Sequence, residues 1–81
     1  MIVAVKLFGP QAQLAGTREA RVELAGVPTV AQVRAALAQV APALVPSLAT
    51  SRMAVNHAFV SDSDTISATD EVALIGMVSG G

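Results

Sequence analysis

The sequence predicts an α+β domain, a mixed sheet of about five strands with one main helix packed on one face. Three observations predict it. Apolar runs rich in branched residues stand near both ends, at Ile2–Phe8 and Glu71–Ile75. One capped, amphipathic helix lies between them, from Val30 to Val40. The other apolar segments, at 20–24, 53–56 and 58–60, are strand-sized and set off by turn residues. The chain of 81 residues is the length of one small domain, spanning 1–81, with 76–81 expected as a flexible Gly-Gly tail.

Ile2–Phe8 (IVAVKLF) is interrupted only by Lys6 and ends at Gly9-Pro10. A continuous apolar run of this kind reads as a central strand with most of both faces covered. Pro10 suits the first position of a helical turn, Gln11 to Ala15 accept helix, and Gly16 fits a left-handed C-terminal cap. That segment is too short for an independent helix and is expected as a linker with local order. Ala20, Val22 and Leu24 alternate with charged neighbours, which predicts a half-exposed strand near a sheet edge.

The helix carries the clearest local signal. Pro28 precedes Thr29, a suitable N-cap, and Gln32 completes a capping box three residues later. Val30, Val33, Ala36, Leu37 and Val40 form a stripe at spacings of three and four, and Pro42 stops the helix. In the following segment Leu44, Val45 and Leu48 can share one face of a short helical turn limited by Pro42 and Pro46. Met53–Asn56 and Ala58–Val60 read as strands about a tight turn, in which Asn56 tolerates positive φ. Asp62–Thr65 and Thr69-Asp70 are polar turns, Ile66 is an isolated apolar anchor, and Glu71–Ile75 is the last strand. The two strongly apolar strands belong side by side at the centre of the sheet, in parallel through the helical crossover. Such a strand order is a β-grasp arrangement.

Composition excludes several classes of function. Cysteine is absent, which removes disulfides, thiolate metal sites and cysteine nucleophiles. A net charge of −1 is too neutral for an electrostatic nucleic-acid footprint. With aromatics at only 2% in a chain that is 53% hydrophobic, the core must be built from Val, Leu, Ile and Ala. No leader-like N-terminus stands out, and the uncharged stretch between Arg34 and Arg52 is broken by prolines and polar residues. The expectation is a soluble cytoplasmic domain with no membrane and no nucleic-acid partner.

Catalytic constellations are equally sparse. His57 is the lone histidine and reads as an exposed turn residue. Asp62, Asp64, Asp70 and Glu71 lack the spacing of a calcium loop and read as solvated turns. No glycine-rich phosphate loop joins a strand to a helix, and the serines have no base and orienting acid beside them. No metal or cofactor site is expected. Ser79-Gly80-Gly81 is different. Without Cβ atoms, Gly80 and Gly81 can thread a passage too narrow for any side chain and deliver the terminal carboxylate into another protein's active site.

This element order and ending resemble the ubiquitin-like sulfur carriers, most closely the small subunit of molybdopterin synthase (MoaD-like proteins). Met53-Ala-Val-Asn56, Phe59-Val60, Asp70-Glu-Val72 and Val78-Ser-Gly-Gly81 look like that family's strand, turn, strand and tail sequence, and Leu7-Phe8 followed by Gln11–Gly16 looks like its opening. The chain departs from the family in having Gly76-Met77 where two prolines often stand before the tail. The resemblance implies that the Gly81 carboxylate is adenylated by a ubiquitin-activating-like adenylyltransferase using ATP, then converted to a thiocarboxylate. The large synthase subunit, in a two-plus-two heterotetramer, would accept the tail and transfer its sulfur to precursor Z. The chain itself would bind no cofactor and would not be catalytic alone. Phe8, Ile75, Met77, Val78 and Ser79 are the candidate partner contacts, on the sheet face opposite the helix or in the tail. Three alternatives stay open: a ThiS-like carrier for thiamine biosynthesis, a ubiquitin-like protein modifier, and a β-grasp binding module.

Overall fold

A computed structural model describes residues 1–76. Strands β1 (Ile2–Leu7) and β2 (Glu19–Glu23) flank a short helix α1 (Gly9–Ala15). Helix α2 (Val30–Val40), a 3-10 turn (Pro42–Leu44) and helix α3 (Val45–Leu48) follow, then β3 (Ser51–Val55), β4 (Ala58–Phe59) and β5 (Val72–Gly76). The strands form one sheet in the order β2-β1-β5-β3-β4. β1 and β5 run parallel, and every other pair is antiparallel. The two apolar strands predicted to be central neighbours are paired as expected, and β2 is an edge.

One layer of core lies between the sheet and the helices. Val3, Val5 and Leu7 of β1, Val22 of β2, Met53 of β3 and Val72 and Leu74 of β5 point into it. Val30, Val33 and Leu37 of α2 meet them from above, all fully buried. β1 corrects one expectation. It alternates exposed and buried along its whole length, so only one of its faces is covered. A single principal helix has the width to shield one side of a sheet, and the apolar outward residues Ile2 and Ala4 face solvent for that reason.

The helix has the boundaries that its sequence predicts. Thr29 Oγ1 accepts from the Gln32 N–H at 3.2 Å, and Gln32 Oε1 accepts from the Thr29 N–H at 2.9 Å, which completes the capping box. The next unpaired helical donors are met from a distant loop: Val30 N–H donates to Asp64 O and Ala31 N–H to Asp62 O. Arg34 fastens the same loop. Its guanidinium donates to Leu48 O, Ser51 O and Asp62 Oδ1 at 2.9, 3.2 and 3.1 Å. Ile66 is fully buried and is the anchor its isolation suggested.

Two apolar positions fall outside the predicted core. Val40 is 56% exposed because Leu44, from the 3-10 turn packed against α2, closes the core one turn earlier. Val45 is exposed as well, while Leu44 and Leu48, four residues apart, share the buried face. The segment expected as a linker is a seven-residue helix, α1, with Pro10 in its first turn and Gly16 at φ 72° as its left-handed cap. Tertiary packing against the 3-10 turn supports what seven residues cannot hold alone. At the other end, β5 runs through Gly76, one residue into the predicted tail.

No helix among the described residues is long and apolar enough to cross a membrane.

Two substitutions separate the contributions to this fold. Leu37→Ala is expected to lower unfolding free energy by about 3 kcal/mol through the cavity left under α2. Thr29→Ala is expected to cost about 1 kcal/mol through loss of the cap alone. Urea denaturation followed by far-ultraviolet circular dichroism measures both.

Candidate functional site

The sheet face turned away from α2 is organised by strand register. Lys6 pairs with Ala73, Ala73 with Ala54, and Ala54 with Phe59, so these four form one row across β1, β5, β3 and β4. In the neighbouring row Ile75 pairs with Arg52, and Phe8 lies just past the end of β1. Two alanines therefore sit in the middle of the face, with larger groups around them. The result is a shallow apolar depression lined by Phe8, Ala54, Phe59, Ala73 and Ile75, with Lys6, His57 and Glu71 at its polar end.

Its walls are apolar groups left in water. Phe8 is 53% exposed and Phe59 50%, and both of the chain's phenylalanines border this one depression. Arg52 lies with its guanidinium carbon 4.5 Å from the Phe59 ring centroid, a cation–π contact that steadies the ring on its edge strand. Ala54 and Ala73 leave a floor low enough to receive an apolar side chain from a partner.

The polar end is held by a short turn. Asn56 and His57 both have positive φ, 52° and 68°, the geometry that closes a two-residue hairpin with the twist of its strands. Asn56 is tied to the start of β5 from three directions. Its Nδ2 donates to Asp70 Oδ1, its N–H to Glu71 O, and its Oδ1 accepts from Glu71 N–H. This fixes His57 beside Glu71, with Nε2 3.0 Å from Glu71 Oε2, while Lys6 Nζ donates to Glu71 Oε1 at 3.0 Å. The Lys6 hydrogen bond, then the charges of Lys6 and His57, hold the Glu71 carboxyl below its ordinary pKa. Asp70 is also lowered, first by the Ser67 backbone N–H and then by Asn56. These groups are solvent-exposed, so they fix orientation more than stability.

Asp62 pairs with Arg34, Asp64 accepts from Ser61 N–H, and Asp70 accepts from Ser67 N–H, so each turn carboxylate has a local partner. Of the predicted site residues, Phe8 and Ile75 are brought together here, Phe8 exposed and Ile75 half-buried. Met77, Val78, Ser79, Gly80 and Gly81 lie outside the described residues. Sequence reading missed Lys6, Ala54, Phe59, Ala73 and Glu71 as members of the same face. The period-two alternation of each strand indicates which residues share a side, but only register shows that those of four strands fall in one row.

Comparison with known proteins agrees with this architecture. The model of the ThiS family matches residues 5–81. Small archaeal modifier protein 1 from Haloferax volcanii is similar in structure, with a TM-score of 0.84, 30% identity and 100% of both chains covered. A protein assigned as molybdopterin converting factor subunit 1 from Pyrococcus furiosus has a TM-score of 0.84 at 24% identity, over 96% of this chain and 99% of its own. A complex of subunits 1 and 2 of the molybdopterin-converting factor from Helicobacter pylori includes a chain similar at a TM-score of 0.69 and 22% identity, over 100% of both. The last two are likenesses of fold. No curated protein matches the chain. The match over residues 5–81, on a five-stranded mixed sheet with one principal helix, shows that the chain belongs to the ThiS family and has the ubiquitin-like β-grasp fold of the ThiS/MoaD sulfur carriers.

Proposed function

We propose that the chain carries sulfur on its C-terminal Gly81 and serves as the small subunit of molybdopterin synthase. The observation that supports this most is the placement of the exposed apolar face. It borders the end of β5, so a partner seated on Phe8, Phe59 and Ile75 lies beside the point where the Met77–Gly81 segment begins. In this reading the reacting group is the carboxylate of Gly81, carried by the Gly80-Gly81 pair.

The chemistry follows from what a carboxylate lacks. It is a poor acyl donor at neutral pH because its leaving group would be an oxide. An oxygen of the Gly81 carboxylate attacks the α-phosphorus of ATP, pyrophosphate leaves, and the acyl-adenylate formed has AMP as a good leaving group. Sulfur at the sulfide oxidation level then attacks the acyl carbon, AMP departs, and the product is a thiocarboxylate. The adenylyltransferase holds the ATP. In the large synthase subunit, in a two-plus-two assembly, the thiocarboxylate sulfur is the nucleophile toward precursor Z. Gly80 and Gly81 let the segment pass without side-chain obstruction.

A second reading has its own support. The 30% identity over full length to an archaeal modifier protein favours ligation of the same carboxylate to lysines of other proteins. Both routes share the adenylate and part at the acceptor. A ThiS-like role in thiamine biosynthesis shares the thiocarboxylate and differs only in the enzyme that consumes it.

Incubation with a molybdopterin-type activating enzyme, ATP and sulfide is expected to raise the intact mass by one oxygen-to-sulfur exchange, and deletion of Gly81 to abolish the gain. Addition of the large subunit and precursor Z then discharges the thiocarboxylate if the molybdopterin role is right. An undischarged thiocarboxylate leaves the thiamine route, and a lysine isopeptide conjugate in cells favours the modifier. Phe8→Ala and Phe59→Ala, both at exposed positions, are each expected to weaken large-subunit binding about tenfold with little change in melting temperature. Isothermal titration calorimetry measures the binding.

A further inference from the structure

The last residue of β5 is supported unequally from its two sides. Gly76 faces Ser51 of β3 in register, but the parallel ladder with β1 has already ended at the Leu7–Leu74 pair, where the chain turns off into α1. Gln11, from the first turn of α1, lies over the core side of this last residue. It is the one buried residue of α1. Its Nε2 donates to Ser51 Oγ at 3.3 Å, and Ser51 Oγ donates onward to Ser47 O at 2.7 Å.

The carboxamide of Gln11 lies where a side chain at position 76 would be. A Cβ added to Gly76 would run into Nε2, Oε1 and Cδ of Gln11. Val72 and Leu74 point into the core, and position 76 continues their period, so the slot belongs to the core side of the strand. The backbone does not demand glycine there, since the positive-φ glycines are Gly9, Gly16 and Gly26. What fills the place of a Cβ is the Gln11 carboxamide, the movable end of a side chain that a residue larger than glycine would displace. A buried carboxamide is a poor choice for packing alone, because an apolar side chain would fill the same space without a polar group to satisfy.

Resting on the sulfur-carrier reading, we propose that Gln11 is a positioning residue for the C-terminal segment. Tethered to Ser51, its carboxamide packs against the core side of Gly76 and fixes the direction in which the backbone leaves the sheet there. Gly81 lies five residues farther on, about 17 Å in extended chain, so the direction at the root governs where the carboxylate arrives in a partner's active site. Gln11 and Gly76 form a pair in which the absence of one side chain makes room for the other. Docking resides elsewhere, on the face of Phe8, Phe59 and Ile75, so binding and delivery are separable.

The test uses the full chain with a ubiquitin-activating-type adenylyltransferase of demonstrated competence, followed by ATP–pyrophosphate exchange as a function of carrier concentration. Gln11→Ala removes the contact, and Gly76→Ala displaces the carboxamide from it. Each is expected to lower kcat about tenfold while KM for the carrier stays within about twofold, because misplacement of the reacting group penalises the chemical step and leaves docking intact. Thermal unfolding of both variants keeps the two effects apart, since a role in packing alone shifts the melting temperature and leaves kcat of the folded chain at its wild-type value. Wild-type exchange with both folded variants at the wild-type kcat overturns the inference and spares the carrier reading. A wild-type chain that supports no exchange overturns the carrier reading and this inference with it.

Discussion

Parallel pairing of β1 with β5 is the constraint from which the rest of the molecule follows. Parallel strands cannot be joined by a hairpin, so the two central strands come from opposite ends of the chain and everything between them serves as crossover or flank. The pair places Val5 and Leu7 beside Val72 and Leu74 at the middle of the sheet, and α2 lays Val30, Val33 and Leu37 over them. A right-handed crossover puts that helix on one side only. The opposite side of the same strands is then left open to water, with no further element among the described residues to cover it.

That open side is where the apolar depression arises. On a strand the residues between core positions are committed to the far face, so the outward positions of β1, β5 and β3 are free to vary without disturbing the core. They are Lys6, Ala73 and Ala54 in one row, which Phe59 completes on the edge strand. Small residues in the middle and large ones around them make a depression. The charged end is set by a hairpin whose two positive-φ residues turn His57 toward Glu71, and Lys6 holds the other oxygen of the same carboxylate. An exposed ion network of this kind adds little to stability, but it gives the face an orientation.

The same strand order decides where the C-terminal segment starts. β5 is central, so its end emerges between β1 and β3 rather than from a free edge, and the root of the segment inherits the rigidity of the sheet. The ladder on the β1 side stops before the ladder on the β3 side. A glutamine from α1 covers the core side of the last β5 residue, although α1 is a seven-residue helix that owes its existence to its packing partners. A peripheral element thus borders both the core and the last residue of the central strand.

Much of this was legible in the sequence. The bounds of α2 were readable because a capping box and a proline stop are local signals that act within a few residues. The central pairing of the terminal strands followed from their apolar composition, and Gly80 and Gly81 stood out because residues without a Cβ can enter a passage closed to side chains. Other features depended on contacts between distant segments. The apolar run of β1 suggested two covered faces, but one helix covers one face, and that is a matter of layers rather than of composition. Val40 carried the right period and still lies outside, because Leu44 had taken its place in the core. The row of Lys6, Ala73, Ala54 and Phe59 exists only through register, and the fit of Gln11 over Gly76 joins positions far apart in the chain. Sequence by itself determined α2 with its caps and the apolar strands, since these rest on local backbone and side-chain chemistry. Tertiary structure alone decided which face stayed open and what lies at the root of the C-terminal segment, since both depend on which distant residues the strand pairing brings into contact.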